Sequence, residues 1–169
     1  MPIVAADLLF KLSGGAANAD PNAALGGAMS ATQITTATLA NLFDNVSGDE
    51  SAAGDIEYRC FYVQNNHGTL TLQSAVIWIS QLTPSAHTEI AIGLDPAAVG
   101  SSGTTIANES TAPAGVSFSA PTTKGAALSI GNMGPGQQKA IWVRRTVNAG
   151  AAAVNSDNAI IRIEGDTAA

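Results

Sequence analysis

The run Ile56-Glu57-Tyr58-Arg59-Cys60-Phe61-Tyr62-Val63 constrains this chain more than any other stretch, because it gathers aromatic and β-branched residues and stops at the turn cluster Asn65-Asn66-His67-Gly68. Such side chains suit a pleated, packed surface and lose rotamer freedom in a helix. A strand is predicted here. Leu70-Thr71-Leu72 and Ala75-Val76-Ile77-Trp78-Ile79 read as its returning partner, giving a hairpin at the centre of a sheet.

Strand signals recur downstream. Thr88-Glu89-Ile90-Ala91-Ile92-Gly93-Leu94 alternates with period two, placing Ile90, Ile92 and Leu94 on one face and Glu89 and Ala91 on the other. Val116-Ser117-Phe118, Leu128-Ser129-Ile130, Ala140 to Arg145 and Ile160 to Glu164 supply further short strands. In the last of these Ile161 and Ile163 point inward, and Arg162 and Glu164 outward. Residues 96–114 read as a long loop, and Gly134-Pro135-Gly136 as a sharp turn. With no ten-residue amphipathic helix, the expected fold is all-β: an antiparallel β-sandwich of immunoglobulin-like type, with a jelly roll or barrel as the alternative.

Residues 1–33 read as a Gly-rich N-terminal arm preceding a sandwich domain at 34–169. Ile3 to Leu12 is apolar, but Ser13-Gly14-Gly15, Asp20-Pro21-Asn22 and Leu25-Gly26-Gly27 are turn-forming and carry no period. Ordering such a segment costs about 1–2 kcal/mol per residue in backbone entropy, so the body or a neighbouring subunit has to hold it.

Composition bears on partners. Charged residues are only 12% of the 169, about half the usual share, and mean hydropathy is +0.18. A soluble domain normally stays dispersed through surface charge, so this balance points to an exterior that is covered in the working state. A net charge of −6 argues against nucleic acid as a partner, since neutralising phosphates needs a basic face. Met1-Pro2-Ile3-Val4-Ala5-Ala6-Asp7 lacks the basic and apolar regions of a signal peptide, and nowhere do 18 apolar residues run together, so no membrane role is expected. Cys60 is the only cysteine, which leaves it the role of a small buried hydrophobe.

Chemical motifs are thin. Gly131 to Lys139 lacks the Lys-Ser/Thr step of a phosphate loop, no Gly-x-Ser-x-Gly elbow occurs, and His67 and His87 are the only histidines. Asp44, Asp49, Glu50, Asp55 and Glu57 crowd one segment that could offer oxygen ligands to calcium, but their spacing departs from the alternating Asp loop. A solvated acidic loop, or a salt-bridging contact for a neighbouring subunit, is the expectation. Trp78 and Trp142 lie inside apolar strands, as core residues do, which leaves a carbohydrate-binding module without a visible aromatic platform. Asn45-Val46-Ser47 and Asn108-Glu109-Ser110 match the glycosylation pattern, without a secretory signal to give them meaning. No catalytic, cofactor-binding or metal-binding residue is assigned, and no enzyme activity is expected.

Leu12-Ser13-Gly14-Gly15, Asp20-Pro21-Asn22, Leu25-Gly26-Gly27, Asn41-Leu42-Phe43-Asp44, Gly54-Asp55 and Glu57 to Asn65 together resemble small virion structural proteins of tailed bacteriophages. Pro135-Gly136 followed by Ile141-Trp142-Val143-Arg144-Arg145 looks like the final hairpin of their immunoglobulin-like modules. The resemblance implies a subunit of the virion. A capsid decoration, or cement, protein that binds the major capsid protein as a homo-oligomer, with a trimer favoured, comes first; a tail or neck component is the alternative. On that reading Ile3, Leu8, Leu9, Phe10 and Leu12 anchor the arm on other virion subunits, while Asp49, Glu50, Asp55, Arg144 and Arg145 tune the contacts.

Overall fold

A strand that is apolar on both parities needs cover on both of its faces, and the run around Phe61 receives it. The computed structural model describes residues 2–167. Its strands are β1 (Leu8–Ser13), β2 (Met29–Gln33), β3 (Asp55–Asn65), β4 (Leu72–Gln81), β5 (Thr88–Leu94), β6 (Leu128–Met133), β7 (Gln138–Val147) and β8 (Ile160–Thr167), with one short α-helix, α1 (Gly48–Ala53), and three single 3-10 turns among the described residues. They form a five-stranded sheet in the order β2-β1-β3-β7-β5 and a three-stranded sheet in the order β6-β4-β8. Every pairing is antiparallel. The architecture is therefore the expected antiparallel β-sandwich.

On one face of the larger sheet, Phe61 and Val63 of β3 and Ile141 and Val143 of β7 pack against Leu72, Ile77 and Ile79 of β4, closing the core between the sheets. On the opposite face, Cys60, Tyr62, Ala140 and Trp142 are covered by irregular chain: Ile106, Val116 and Phe118, together with Leu25 and Met29. This second cover is pinned by polar groups. The Asp95 carboxylate accepts hydrogen bonds from the Trp142 indole N–H at 2.8 Å and from the backbone N–H groups of Thr104 and Ala97, also at 2.8 Å. Lys139 donates from Nζ to the Asp95 carbonyl at 2.7 Å. The Tyr62 hydroxyl accepts from Gly103 N–H at 2.7 Å and donates to the Gly27 carbonyl. At Gly26, φ is +90° and a Cβ would stand 1.8 Å from the Thr104 carbonyl oxygen, so only glycine lets the two covering segments meet.

Several expectations are corrected. The predicted hairpin does not exist: β3 pairs with β1 and β7, and β4 pairs with β6 and β8, in the other sheet. The connection crosses because Asn65 is buried and its amide donates to the carbonyls of Leu70 and Met133, both at 2.9 Å, which turns the chain over the sandwich end. By the same token Gly134-Pro135-Gly136 joins β6 to β7 across the sandwich and makes no final hairpin. Val116-Ser117-Phe118 forms no strand: it packs on the sheet through Val116 and Phe118, and the next residue, Ser119, makes an isolated bridge to Ile92. The acidic segment holds α1, whose Ser47 and Glu50 form a capping box.

The stretch predicted as an arm supplies β1 and β2 of the larger sheet. β1 lies in register along β3, Leu12 is 2% exposed, and Phe10 stacks on Phe61 with ring centroids 5.6 Å apart. The glycine-rich stretch that follows is the turn material that returns the chain to pair β2 with β1.

Leu12→Ala is expected to lower unfolding free energy by about 2–5 kcal/mol, as a core truncation does, whereas a free arm would show no change in urea denaturation. Burial works to raise the Asp95 carboxyl, but the N–H groups of Ala97, Trp142 and Thr104 outweigh burial and hold it below the ordinary carboxylate value. A depressed folded-state value contributes stability that is present above the unfolded value and is lost as pH falls through the folded one. Asp95→Ala is therefore expected to cost about 1–3 kcal/mol at neutral pH through unpaired buried N–H groups, and to flatten the acid limb of a melting-temperature profile below about pH 4.

Candidate functional site

Glu57 and Arg145 stand opposite each other in the register of β3 and β7, at one end of the sandwich. Both are buried, with side chains 1% and 7% exposed. Arg145 donates from Nε to Glu57 Oε2 at 2.5 Å and from Nη1 to the Asp44 carbonyl at 2.6 Å, and Nη2 reaches the carboxylates of both acids. Arg59, fully buried, pairs with Glu109 and with Asn22 Oδ1, and its Nη2 lies 3.8 Å from Glu57 Oε1. Phe43 closes the cluster, with the guanidinium carbons of Arg145 and Arg59 at 4.8 Å and 5.6 Å from its ring centroid. Burial raises the Glu57 carboxyl above its ordinary value against the opposing pull of Arg145 and Arg59. The cluster therefore fastens Phe43 and Asp44 of the 34–47 segment, and Glu109 of the long loop, to the central strands.

Carboxylate oxygens of Glu50, Asp55 and Glu57 lie within 4.8 Å of one another, a span that one divalent cation can bridge. These are the residues that could hold a metal. Their free valences are already partly taken: Glu50 Oε2 accepts from Ser47 N–H at 2.6 Å, Asp55 Oδ1 from Ile56 N–H at 2.8 Å, and Glu57 meets two guanidinium groups. The arginines supply the positive charge that a cation would bring.

The predicted contact residues separate into two groups in space. Asp49 is exposed in the first turn of α1, Glu50 caps that helix, and Asp55 opens β3 half-buried. Arg144 is half-buried, with its guanidinium carbon 5.6 Å from the Phe118 ring centroid. Arg145 belongs to the interior ion pairs and presents almost nothing to a partner. At the other place, Ile3, Leu8 and Phe10 pack half-buried against the inter-sheet core, Leu12 is enclosed, and Leu9 points to the opposite face of β1. Leu8 and Phe10, with Ala5, line a gap of about 170 Å³ whose far wall is Ile161, Arg162 and Ile163 of β8.

Other singled-out residues serve the fold. Trp78 and Trp142 are 5% and 0% exposed, so neither offers a platform for sugar. Cys60 is buried, and burial pushes its thiol far above the ordinary value. His67 accepts at Nδ1 from Leu70 N–H at 3.0 Å, closing the turn after β3. Sequence reasoning missed Asp95, which follows a strand and shows only as Asp-Pro, and the Glu57–Arg145 pair, whose members are 88 positions apart. The Ser-x-x-Glu pattern at Ser47 and Glu50 was the legible signal for α1. Comparison of the chain with family models, curated proteins and solved structures returns no match.

Removing one partner of a buried pair strands a charge, at a cost of about 3–5 kcal/mol, while replacing both by apolar groups is often close to neutral. Arg145→Ala is expected to show that loss in chemical denaturation, and the double variant Glu57→Leu/Arg145→Leu to recover most of it. Equal losses in the two variants would mean that the pair is not what holds this end together.

Proposed function

We propose that this chain is a structural subunit of a tailed-phage particle, foremost a decoration protein that binds the outer shell and stabilises it. One observation carries the reading: the charge left on its surface. Seven basic and thirteen acidic side chains make twenty in a chain of 169, and five of these, Glu57, Arg59, Asp95, Lys139 and Arg145, are buried in the fold. The exterior is left to small polar residues and to scattered exposed apolar ones such as Leu39, Ile56, Leu82 and Ile160. A weakly charged surface loses little hydration when another protein covers it, because desolvating charge is the costly part of burial.

The resemblance to virion proteins supports the same reading, since its residues fall on structural features: Leu12-Ser13-Gly14-Gly15 ends β1 and turns, Asn41 to Asp44 carries Phe43 over the buried arginines, and Glu57 to Asn65 is the central strand. None of these is a catalytic arrangement. Function would then be mechanical, with many copies each adding a small contact so that the sum is strong. Placement in the tail or neck remains the second reading.

Cryo-electron microscopy of the source particles tests this. Density for the chain in regular multiples of the capsomers, and lower resistance to heat or osmotic shock in particles lacking it, are the expected results. Density confined to the tail would move the protein there, and its absence from particles would end the virion reading.

A further inference from the structure

Four strands end a sheet in this fold: β2, β5, β6 and β8. Three of them are blunted. Ile92 of β5 exchanges backbone hydrogen bonds with Ser119, at 2.8 and 3.0 Å. Near the middle of β6, Gly131 sits at a φ of +89° and the register with β4 shifts. β2 has five residues, and its Ala31 N–H is taken by the Ala16 carbonyl at 3.0 Å. β8 is different. It runs for eight residues without proline, and among the described residues no backbone hydrogen bond reaches its outer side. A long unguarded edge is a template for another strand.

We propose that this edge seats β8 of a second copy of the same chain, the two strands pairing antiparallel about a two-fold axis at Ile163, so that the three-stranded sheets become one six-stranded sheet. The charges at the middle of β8 suit this occupant and this register. Antiparallel pairing sets side chains of the same face opposite one another. Centred on Ile163, Arg162 of each copy meets Glu164 of the other, twice by symmetry. Moved one residue, the axis would set Arg162 against Arg162 or Glu164 against Glu164, and like charges directly opposite are destabilising.

Arg162 is exposed and has no ion-pair partner among the described residues, while Glu164 pairs with Lys124 at 2.8 Å and keeps a side chain 41% exposed for a second cation. Apolar surface lies at the same place. Ile160 is 47% exposed, and the gap between Leu8, Phe10, Ile161 and Ile163 opens beside the free edge. A partner strand laid along β8 would cover that opening as well as the unpaired backbone. The contact is two-fold, in contrast to the trimer implied by the resemblance.

Sedimentation velocity on the full chain over a concentration series tests the contact. Wild type is expected to show a reversible monomer–dimer equilibrium. Arg162→Glu alone and Glu164→Arg alone are each expected to weaken it by about tenfold or more, two cross-strand pairs having turned repulsive, and the double exchange Arg162→Glu/Glu164→Arg to restore it. Hydrogen exchange on the wild type supplies a reading that needs no variant: the outward-facing amides of β8 should slow as concentration rises while those of β5 do not change. A monomer at all concentrations, a trimer, a dimer indifferent to the charge exchange, or β8 amides protected only on assembled particles would each overturn the second copy as occupant. The first three of these outcomes leave the particle reading untouched, since it is decided by copies in the virion, and the fourth would support it while overturning the second copy.

Discussion

Everything in this fold depends on the central strands β3 and β7 being covered on both faces. A β-sandwich ordinarily leaves the outer face of each sheet to water, and its strands alternate accordingly. Here Phe61, Val63, Ile141 and Val143 need the second sheet, while Cys60, Tyr62, Ala140 and Trp142 on the reverse need a cover that no regular element supplies. The long segment after β5 does that work, and irregular chain over an apolar face is tolerable only if its own polar groups are met. Asp95 meets two of them at once, the N–H groups of Ala97 and Thr104, and ties them to Trp142, so one carboxylate joins the loop, the sheet and the start of the covering segment.

The same logic explains where the charges went. Apolar cover on two faces leaves the sheet ends as the places where crossing segments must be fastened, and charge-assisted hydrogen bonds fasten more strongly and more specifically than neutral ones. Arg59 and Arg145 do this at one end by reaching Glu109, Asn22 and Asp44 from three separate stretches of chain. Ionic groups that often sit on a surface are thus interior fasteners in this chain, and the exterior is left bland. Low charge on the outside and ion pairs on the inside are two sides of one allocation.

Strand identity was legible wherever a face alternates or an aromatic run is dense: β5, β7 and β8 lie where period two or apolar density placed them, and β3 does as well. Pairing was not legible. Period two says which side chains share a face, but nothing about which strand lies alongside, and the Asn65 amide that turns the chain across the sandwich is a tertiary contact to Met133, 68 positions away. β1 was hidden differently. Leu8, Phe10 and Leu12 alternate as a strand should, yet the glycine-rich turns after Ser13 have the composition of a flexible arm, and only the register with β3 shows that they are the turns of a packed ribbon. Of the predicted contact residues, Asp49 in α1 is exposed, whereas Leu12 and Arg145 are buried by neighbours that local sequence does not name.

From β3 onward the chain changes sheet at every connection, so β4, β6 and β8 reach the smaller sheet only one at a time. Neither sheet is made of contiguous chain, and neither can form without most of the other, which ties the body into a single cooperative unit of largely non-local contacts and slows its folding. β8 stands apart from this weave. Among the described residues it pairs with β4 alone, and it lies beside the gap at β1. A strand with one hydrogen-bonded neighbour can shift or accept another without disturbing the interleaved body, so the place where the fold is least committed is also the place best suited to contact with another subunit.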